Sequence, residues 1–321
     1  VSLVDLMFVP VDVFPAISRF RIFKDDIFIS VAGTLGIVGR VPKELDGANL
    51  TENADRITNL TCSQDFLLHV LMSPLIQTTI DTLQTIGAQP KLALTRIRKF
   101  LIPLPPTLAE QQAIAEALSD VDALIGALDR LIAKKRAIKQ GAMQELLTGR
   151  RRLPGFDGEW EIRPLGDMAD TDPENLGSET HSDYAFKYIT LEDVIVGTLR
   201  SYSEQVFRSA PSRARRKLRA HDVLVSTVRP TLMSHLLFLE DGGDWICSTG
   251  FCVIRCKDGV AHPGYVYYHL FSDVVGRQID ALLTGSNYPA INSRDVRALL
   301  VPFPEYAEQT AIAAILSDMD A

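Results

Sequence analysis

Residues 101–123 read LIPLPPTLAEQQAIAEALSDVDA, and residues 300–321 read LVPFPEYAEQTAIAAILSDMDA. From Ala109 and from Ala307 onward, 11 of 15 positions are identical. Both stretches run from an apolar strand, through proline, into the start of a helix. The copies lie 198 residues apart, too far for a solenoid repeat and right for a domain plus a connector. The repeat extends upstream more weakly. Gly87–Arg98 matches Gly285–Arg297 with one insertion, Asp26–Ser30 matches Asp222–Ser226, and Thr34-Leu35 faces Thr231-Leu232. Each module therefore has the order strand, loop, helix, proline-containing strand, connector helix. Similar frameworks with different surfaces are what two copies of one job on different targets require.

Composition sets outer limits. The chain has 321 residues, 46% hydrophobic and 23% charged, an ordinary globular balance for about two domains. No run of 18 apolar residues marks a membrane span. The apolar start VSLVDLMFVPVDVF lacks a basic lead and a small-residue cleavage site, so it does not read as a signal peptide. Cys62, Cys247, Cys252 and Cys256 lack the Cys-x-x-Cys or paired-His spacing of a zinc site. They read as structural thiols, which points to a cytoplasmic setting. The net charge of −7 counts against nucleic-acid binding, because lysine and arginine supply most non-specific affinity. Distribution outweighs the sum, however. Arg208, Arg213, Arg215, Arg216, Lys217 and Arg219 fall within 12 residues that hold no acid.

The central connector is the clearest helix. Thr107-Leu-Ala-Glu110 has the form of a capping box, and Gly149 follows Leu146-Leu147 as a C-cap. An apolar stripe of Leu118, Val121, Ile125, Leu128 and Ile132, widened by Leu124 and Leu131, recurs at helical spacing. A rod of about 40 residues spans ~60 Å and needs a partner helix to cover the stripe. Beyond it, short strands are predicted at Phe186–Thr190, Asp222–Thr227, Leu236–Leu239, Phe251–Arg255 and Ala298–Phe303. One helix is predicted over Pro263–Leu282, with Val266, Leu270, Val274 and Ile279 inward. The first module repeats this with a helix over Ser63–Leu83.

The proline-plus-AEQ helix start, found twice, is followed after the first connector by Leu146-Leu-Thr-Gly-Arg150, Leu153-Pro-Gly-Phe156 and Trp160. This combination resembles the specificity subunit of type I restriction-modification systems over nearly the whole chain. The resemblance implies an α+β protein with two target-recognition domains separated by a long coiled-coil connector. The expected segments are 1–105 for the first recognition domain, 106–150 for the connector helix, 157–305 for the second recognition domain and 306–321 for the start of a second connector. The first domain reads as lacking its beginning and the second connector as cut short. The implied function is recognition of a bipartite double-stranded DNA target. Methylation and cleavage would belong to partner methyltransferase (M) and restriction (R) subunits, and this chain would hold no cofactor and touch no membrane.

Other chemistry finds little support in the residues. Gly33-Thr-Leu-Gly36-Ile-Val-Gly39 resembles a phosphate loop, but it lacks the Gly-Lys-Ser/Thr ending and no helix pattern follows, so a β-turn is the better reading. Neither Leu104-Pro-Pro-Thr107 nor Phe303-Pro-Glu-Tyr306 is an adenine-methyltransferase motif, and six scattered histidines form no catalytic constellation. A stand-alone nuclease or methyltransferase is therefore disfavoured. A half-subunit that assembles with a second chain, or an adaptor without DNA contact, stays open. The DNA-contact candidates are Arg208, Arg213, Arg215, Arg216, Lys217 and Arg219, with Lys187, Tyr188, Asn287 and Tyr288 beside them. Lys91, Arg96 and Arg98 are weaker candidates. Lys134, Lys135, Arg136 and Lys139 read as a solvated helix face.

Overall fold

The structure is a computed structural model that describes residues 8–83, 90–285 and 289–320. The chain falls into two compact units, residues 1–131 and 132–321, and the division lies inside the connector helix. The class is α+β.

In the first unit, strands 27–30, 38–40 and 54–57 form an antiparallel sheet with 27–30 in the centre. Alternation along the central strand sends Ile27 and Ile29, both fully buried, toward one face. There they meet Leu67, Leu71, Ile76, Ile80 and Leu92. The predicted single helix over Ser63–Leu83 is two helices, Gln64–Met72 and Pro74–Leu83. Pro74 pushes Ser73 out of helical geometry, to φ −70°, ψ 156°, and the Ser73 hydroxyl donates to Val70 O.

The second unit repeats that break without a proline. Its predicted helix over Pro263–Leu282 is Pro263–His269 and Asp273–Leu282. Ser272 is the cap between them, and its hydroxyl accepts from the backbone of Val275. The break shifts the helical phase, so Val275 rather than Val274 is fully buried, alongside Val266, Leu270 and Ile279. The rest is layered. An inner sheet runs in the order 236–237, 223–226, 251–256, 169–171. Its Val223, Val225, Cys252 and Ile254 face the helices. Leu224, Phe251 and Val253 on its other side meet Ile189, Trp245 and Cys247. Those three belong to a front sheet ordered 214–218, 245–248, 185–189, 203–206. All four cysteines are free thiols. Burial pushes Cys252 and Cys256 up to about 12, far from a reactive thiolate.

The connector is one continuous helix, Leu108–Leu146. Its first turn is held by the Thr107 hydroxyl, which accepts from Glu110 N at 3.2 Å, and Gly149 follows the end at φ +68°. In the second unit, Met143, Leu146 and Leu147 pack on Tyr265, Tyr268, Ile312 and Leu316.

The repeated Ala-Glu-Gln motif has a structural reason. Gln111 Oε1 accepts from the backbone N–H of Ser63, the cap of the first unit's paired helices, and its amide donates to Pro105 O. Gln309 does the same in the second unit, accepting from His262 N and donating to Pro304 O and Val260 O. Both glutamines are buried. The repeated Leu-Ser-Asp-x-Asp is used twice as well. His69 approaches Ser119 Oγ at 3.0 Å and Asp122 at 3.8 Å, and Tyr268 OH donates to Asp320. Glu308 departs from the pattern: it is fully buried and held by Arg152 through two hydrogen bonds and by Trp160 Nε1, whereas Glu110 is exposed.

Two histidines of the second unit are buried without partners for some ring nitrogens among the described residues, His235 at Nε2 and His269 at both. Burial lowers His235 from 6.5 to about 4 and His269 to about 3. The unfolded chain therefore binds more protons as pH falls below about 6.5, and stability present at neutral pH is lost on the way down to about 4 for His235 and about 3 for His269. The slope should approach about 1.4 kcal/mol per pH unit per histidine. Urea unfolding at pH 7, 6, 5 and 4 checks this, and His269→Phe should flatten the curve.

Candidate nucleic-acid interface

The basic run lies on the front sheet's 214–218 strand and the loop before it, and the structure divides it. Arg208 is exposed and pairs with Asp183. Arg213 is exposed at the start of the strand. A bulge falls between Ala214 and Arg216. It lets Arg215 turn its guanidinium over the Phe207 ring at 5.1 Å. Arg216 turns inward instead and meets the Asp172 carboxylate at 2.6 Å, with side chains 19% and 10% exposed. Asp172 also accepts from Ser293 Oγ and Val253 N. Arg216 thus serves the domain's own interior, because a charge sequestered in this way is needed by its counter-ion. Lys217 is half-buried. Arg219, at the far end of the strand, pairs with Glu174, which Arg255 shares.

The neighbouring candidates fare differently. Tyr188 is 4% exposed and packs with Phe186, Leu176 and Ile246, which removes it from the surface expected of a DNA contact. Lys187 is held over the rings of Trp245 and Tyr202, at 4.6 and 5.3 Å, and sits cross-strand from Glu204. Asn287 and Tyr288 lie outside the described residues. In the first unit Arg96 donates to Leu83 O. The connector's Lys139 pairs with Asp320 and lies over Tyr268, so it is more than a solvated face.

A second feature has no signal in the sequence pattern. One end of the second unit gathers several loops by backbone hydrogen bonds centred on Thr227. Its N–H and hydroxyl both donate to Gly250 O, and its carbonyl accepts from Ile291 N at 2.9 Å. Thr249 N donates to Arg213 O, and Arg229 N donates to Pro289 O. The first unit has the same frame at Val31, which donates to Asn53 O and accepts from Leu92 N. The bridge Ala32–Lys91 matches Val228–Ala290. The side chains presented differ between the copies.

The loop that follows differs in strain. Gly33 and Gly36 take left-handed backbone angles, φ +75° and +76°, where the phosphate-loop look-alike is a turn between paired strands. At the matching positions the second unit has Arg229 and Met233, φ +49° and +53°. A left-handed non-glycine residue costs about 1–2 kcal/mol. Met233 has a compensation. In the first unit a Cβ on Gly36 would come within 2.9 Å of Gln77, whose amide donates to Gly36 O. In the second unit the position of Gln77 is Gly276, which has open space around it.

Comparison with known proteins gives a consistent result. The profile of the type I restriction modification DNA specificity domain matches residues 11–135 and again 157–321. Two relatives from Methanocaldococcus jannaschii are similar over about two thirds of this chain. They are the type I restriction enzyme MjaVIII specificity subunit, 23% identical over 68% of this chain and 55% of its own length, and the putative MjaX specificity subunit, 25% identical over 70% and 54%. The chain spans about half the length of these relatives. Among solved structures, the S subunit of a type I restriction-modification system from M. genitalium is 17% identical, with a TM-score of 0.59 over 94% of this chain and 77% of that one. A chain from a study of complex assembly and conformational transition in the type I R-M system is 20% identical, with a TM-score of 0.52 over 94% and 75%.

Proposed function

The chain belongs to the type I restriction modification DNA specificity domain family, and on that premise we propose that it is the DNA-recognition component of a type I restriction-modification complex. The observation that carries this reading is the repeated loop frame. Val31 and Thr227 make the same backbone bonds, while the residues hung on the frame change from Gly33 to Arg229 and from Lys91 to Ala290. A constant frame with variable side chains suits two domains that read different half-sites of a split duplex target. The connector helix joins them, and its stripe is the surface for a second helix. Catalysis belongs to methyltransferase and restriction subunits. Co-expression with a partner methyltransferase and sequencing of methylated DNA tests the proposal. One bipartite motif is expected, and methylation independent of this chain would refute it.

Within the basic run, Arg213, Arg215 and Lys217 remain as proposed DNA contacts, since Arg208 and Arg219 already pair with Asp183 and Glu174. Phosphate contacts position a protein without reading bases. The pair Arg213→Ala and Lys217→Ala should therefore weaken binding to all sequences, with an unchanged melting temperature. The salt slope should shrink by about one for each phosphate that is no longer neutralised. Arg216→Ala should lower the melting temperature, because it strands Asp172. Binding measured at several salt concentrations, beside thermal unfolding, separates the two roles.

A further inference from the structure

We propose that Arg19, with Arg21 beside it, is a phosphate-contacting residue of the first recognition domain, and that the two are the counterparts of Arg215 and Lys217 in the second. This deepens the reading of the chain as a DNA-recognition subunit and rests on it. The repeat reaches further upstream than Asp26. Ser18-Arg-Phe-Arg-Ile-Phe-Lys-Asp-Asp26 aligns without a gap with Ala214-Arg-Arg-Lys-Leu-Arg-Ala-His-Asp222. The backbone bonds agree. In the second unit Arg216 pairs with Cys247, Lys217 with Ile246 and Leu218 with Trp245. In the first, Leu50 N donates to Phe20 O, Arg21 bridges Asn49, and Ile22 N donates to Ala48 O. Phe23 N donates to Asp26 as Arg219 N donates to Asp222, at 2.9 and 2.8 Å. Where the second unit has its bulge, the first has a 3₁₀ turn over Ser18–Phe20.

The charges follow this correspondence selectively. The second stretch has four positive residues, Arg215, Arg216, Lys217 and Arg219. Arg216 is held by Asp172, and its counterpart is Phe20; Arg219 is held by Glu174, and its counterpart is Phe23. Arg215 and Lys217 have no carboxylate partner among the described residues, and their counterparts are Arg19 and Arg21. The modules thus share positive charge at the two positions where no carboxylate answers it. Phosphates are the same on every duplex whereas base edges differ, so charge common to two modules with different targets suits the backbone. Arg19 is exposed, and its guanidinium lies over the Phe20 ring at 4.7 Å, as that of Arg215 lies over Phe207 at 5.1 Å. A ring orients a guanidinium and leaves its N–H groups to an anion. Arg21 is anchored as well: its Nε donates to Gly47 O at 3.0 Å, beside the Phe14 and Phe23 rings. Arg19 is therefore the cleaner residue to change.

The test uses the full chain assembled with methyltransferase subunits, on duplex DNA that the wild type selects from a random-sequence pool. Arg19→Gln should bind about 3- to 10-fold more weakly, the loss of one charge-assisted contact. Its salt slope should shrink by about one, at an unchanged melting temperature. Arg19→Lys keeps the charge and should restore most of the binding. Adding Arg21→Gln to Arg19→Gln should remove about one further unit of slope. Phosphate-ethylation interference then locates the contact: Arg19→Gln should erase it in one half-site, and Arg215→Gln in the other. An unchanged slope and interference pattern in Arg19→Gln would overturn the inference while leaving the recognition reading intact. Loss in the same half-site as Arg215→Gln would overturn it too. A lower melting temperature in Arg19→Gln and Arg19→Lys alike would do the same, by making the residue a packing element. A wild-type assembly that selects no duplex sequence would remove the recognition reading and this inference with it.

Discussion

Gln309→Ala is expected to destabilise the second unit by about 2–4 kcal/mol, the cost of leaving buried backbone groups without partners. The Gln309 amide meets three of them: the N–H of His262 and the carbonyls of Val260 and Pro304. Alanine satisfies none and adds a small void beside Ile312 and Ala313, which are also buried. Water cannot readily substitute at a residue 1% exposed. Gln309→Glu is the sharper control, because a carboxylate still accepts from His262 N but cannot donate to the two carbonyls. Gln111→Ala should have a parallel but smaller effect in the first unit, where Ser63 N and Pro105 O lose their partner. Denaturant unfolding of each variant measures the effect. A loss below about 0.5 kcal/mol for Gln309→Ala, the size of a neutral surface change, would mean that the repeated motif does not anchor the connector.

Ile125→Pro should abolish assembly with methyltransferase subunits. Proline inside a helix removes one backbone hydrogen bond and clashes with the preceding turn, at about 3 kcal/mol or more. Residue 125 is near the middle of a 39-residue helix, so the break would interrupt the apolar stripe at its centre. The stripe Leu118, Val121, Ile125, Leu128 and Ile132 is 44–53% exposed. The chain's own core therefore gains little from it, and Ile125→Ala should leave the stability of the free chain nearly unchanged. If the stripe is the seat of a second helix, Ile125→Ala should weaken assembly and Ile125→Pro should eliminate it. Co-purification of both variants with methyltransferase subunits decides this, and full assembly of the proline variant would show that the continuous rod is not required.

The repeat, the connector and the main strands were legible because each has a local cause. Short continuous apolar runs, buried on both faces, mark 223–226 and 251–256, and the 3.6-residue stripe with Thr107 and Gly149 marks the connector. The two helix breaks were less legible. Ser73-Pro74 is a strong stop signal, yet the apolar pattern runs through it, and at Ser272 the only cue is one cap residue. The candidate interface was legible mainly as charge. The basic residues of one run look alike in sequence, but a bulge at Arg215 sends its neighbour Arg216 toward Asp172, in a loop distant in sequence.

Two modules, the place of the long helix and the gathering of basic charge at 208–219 follow from the order of residues alone, since composition and periodicity are properties of neighbours along the chain. Which of those charges are available follows from the folded arrangement. Asp172, Asp183 and Glu174 lie in loops that the folded sheets place beside Arg216, Arg208 and Arg219. The same arrangement makes Tyr188 part of the core and gives Arg229 a left-handed backbone, because burial and backbone angle are set by what the whole fold places around a residue.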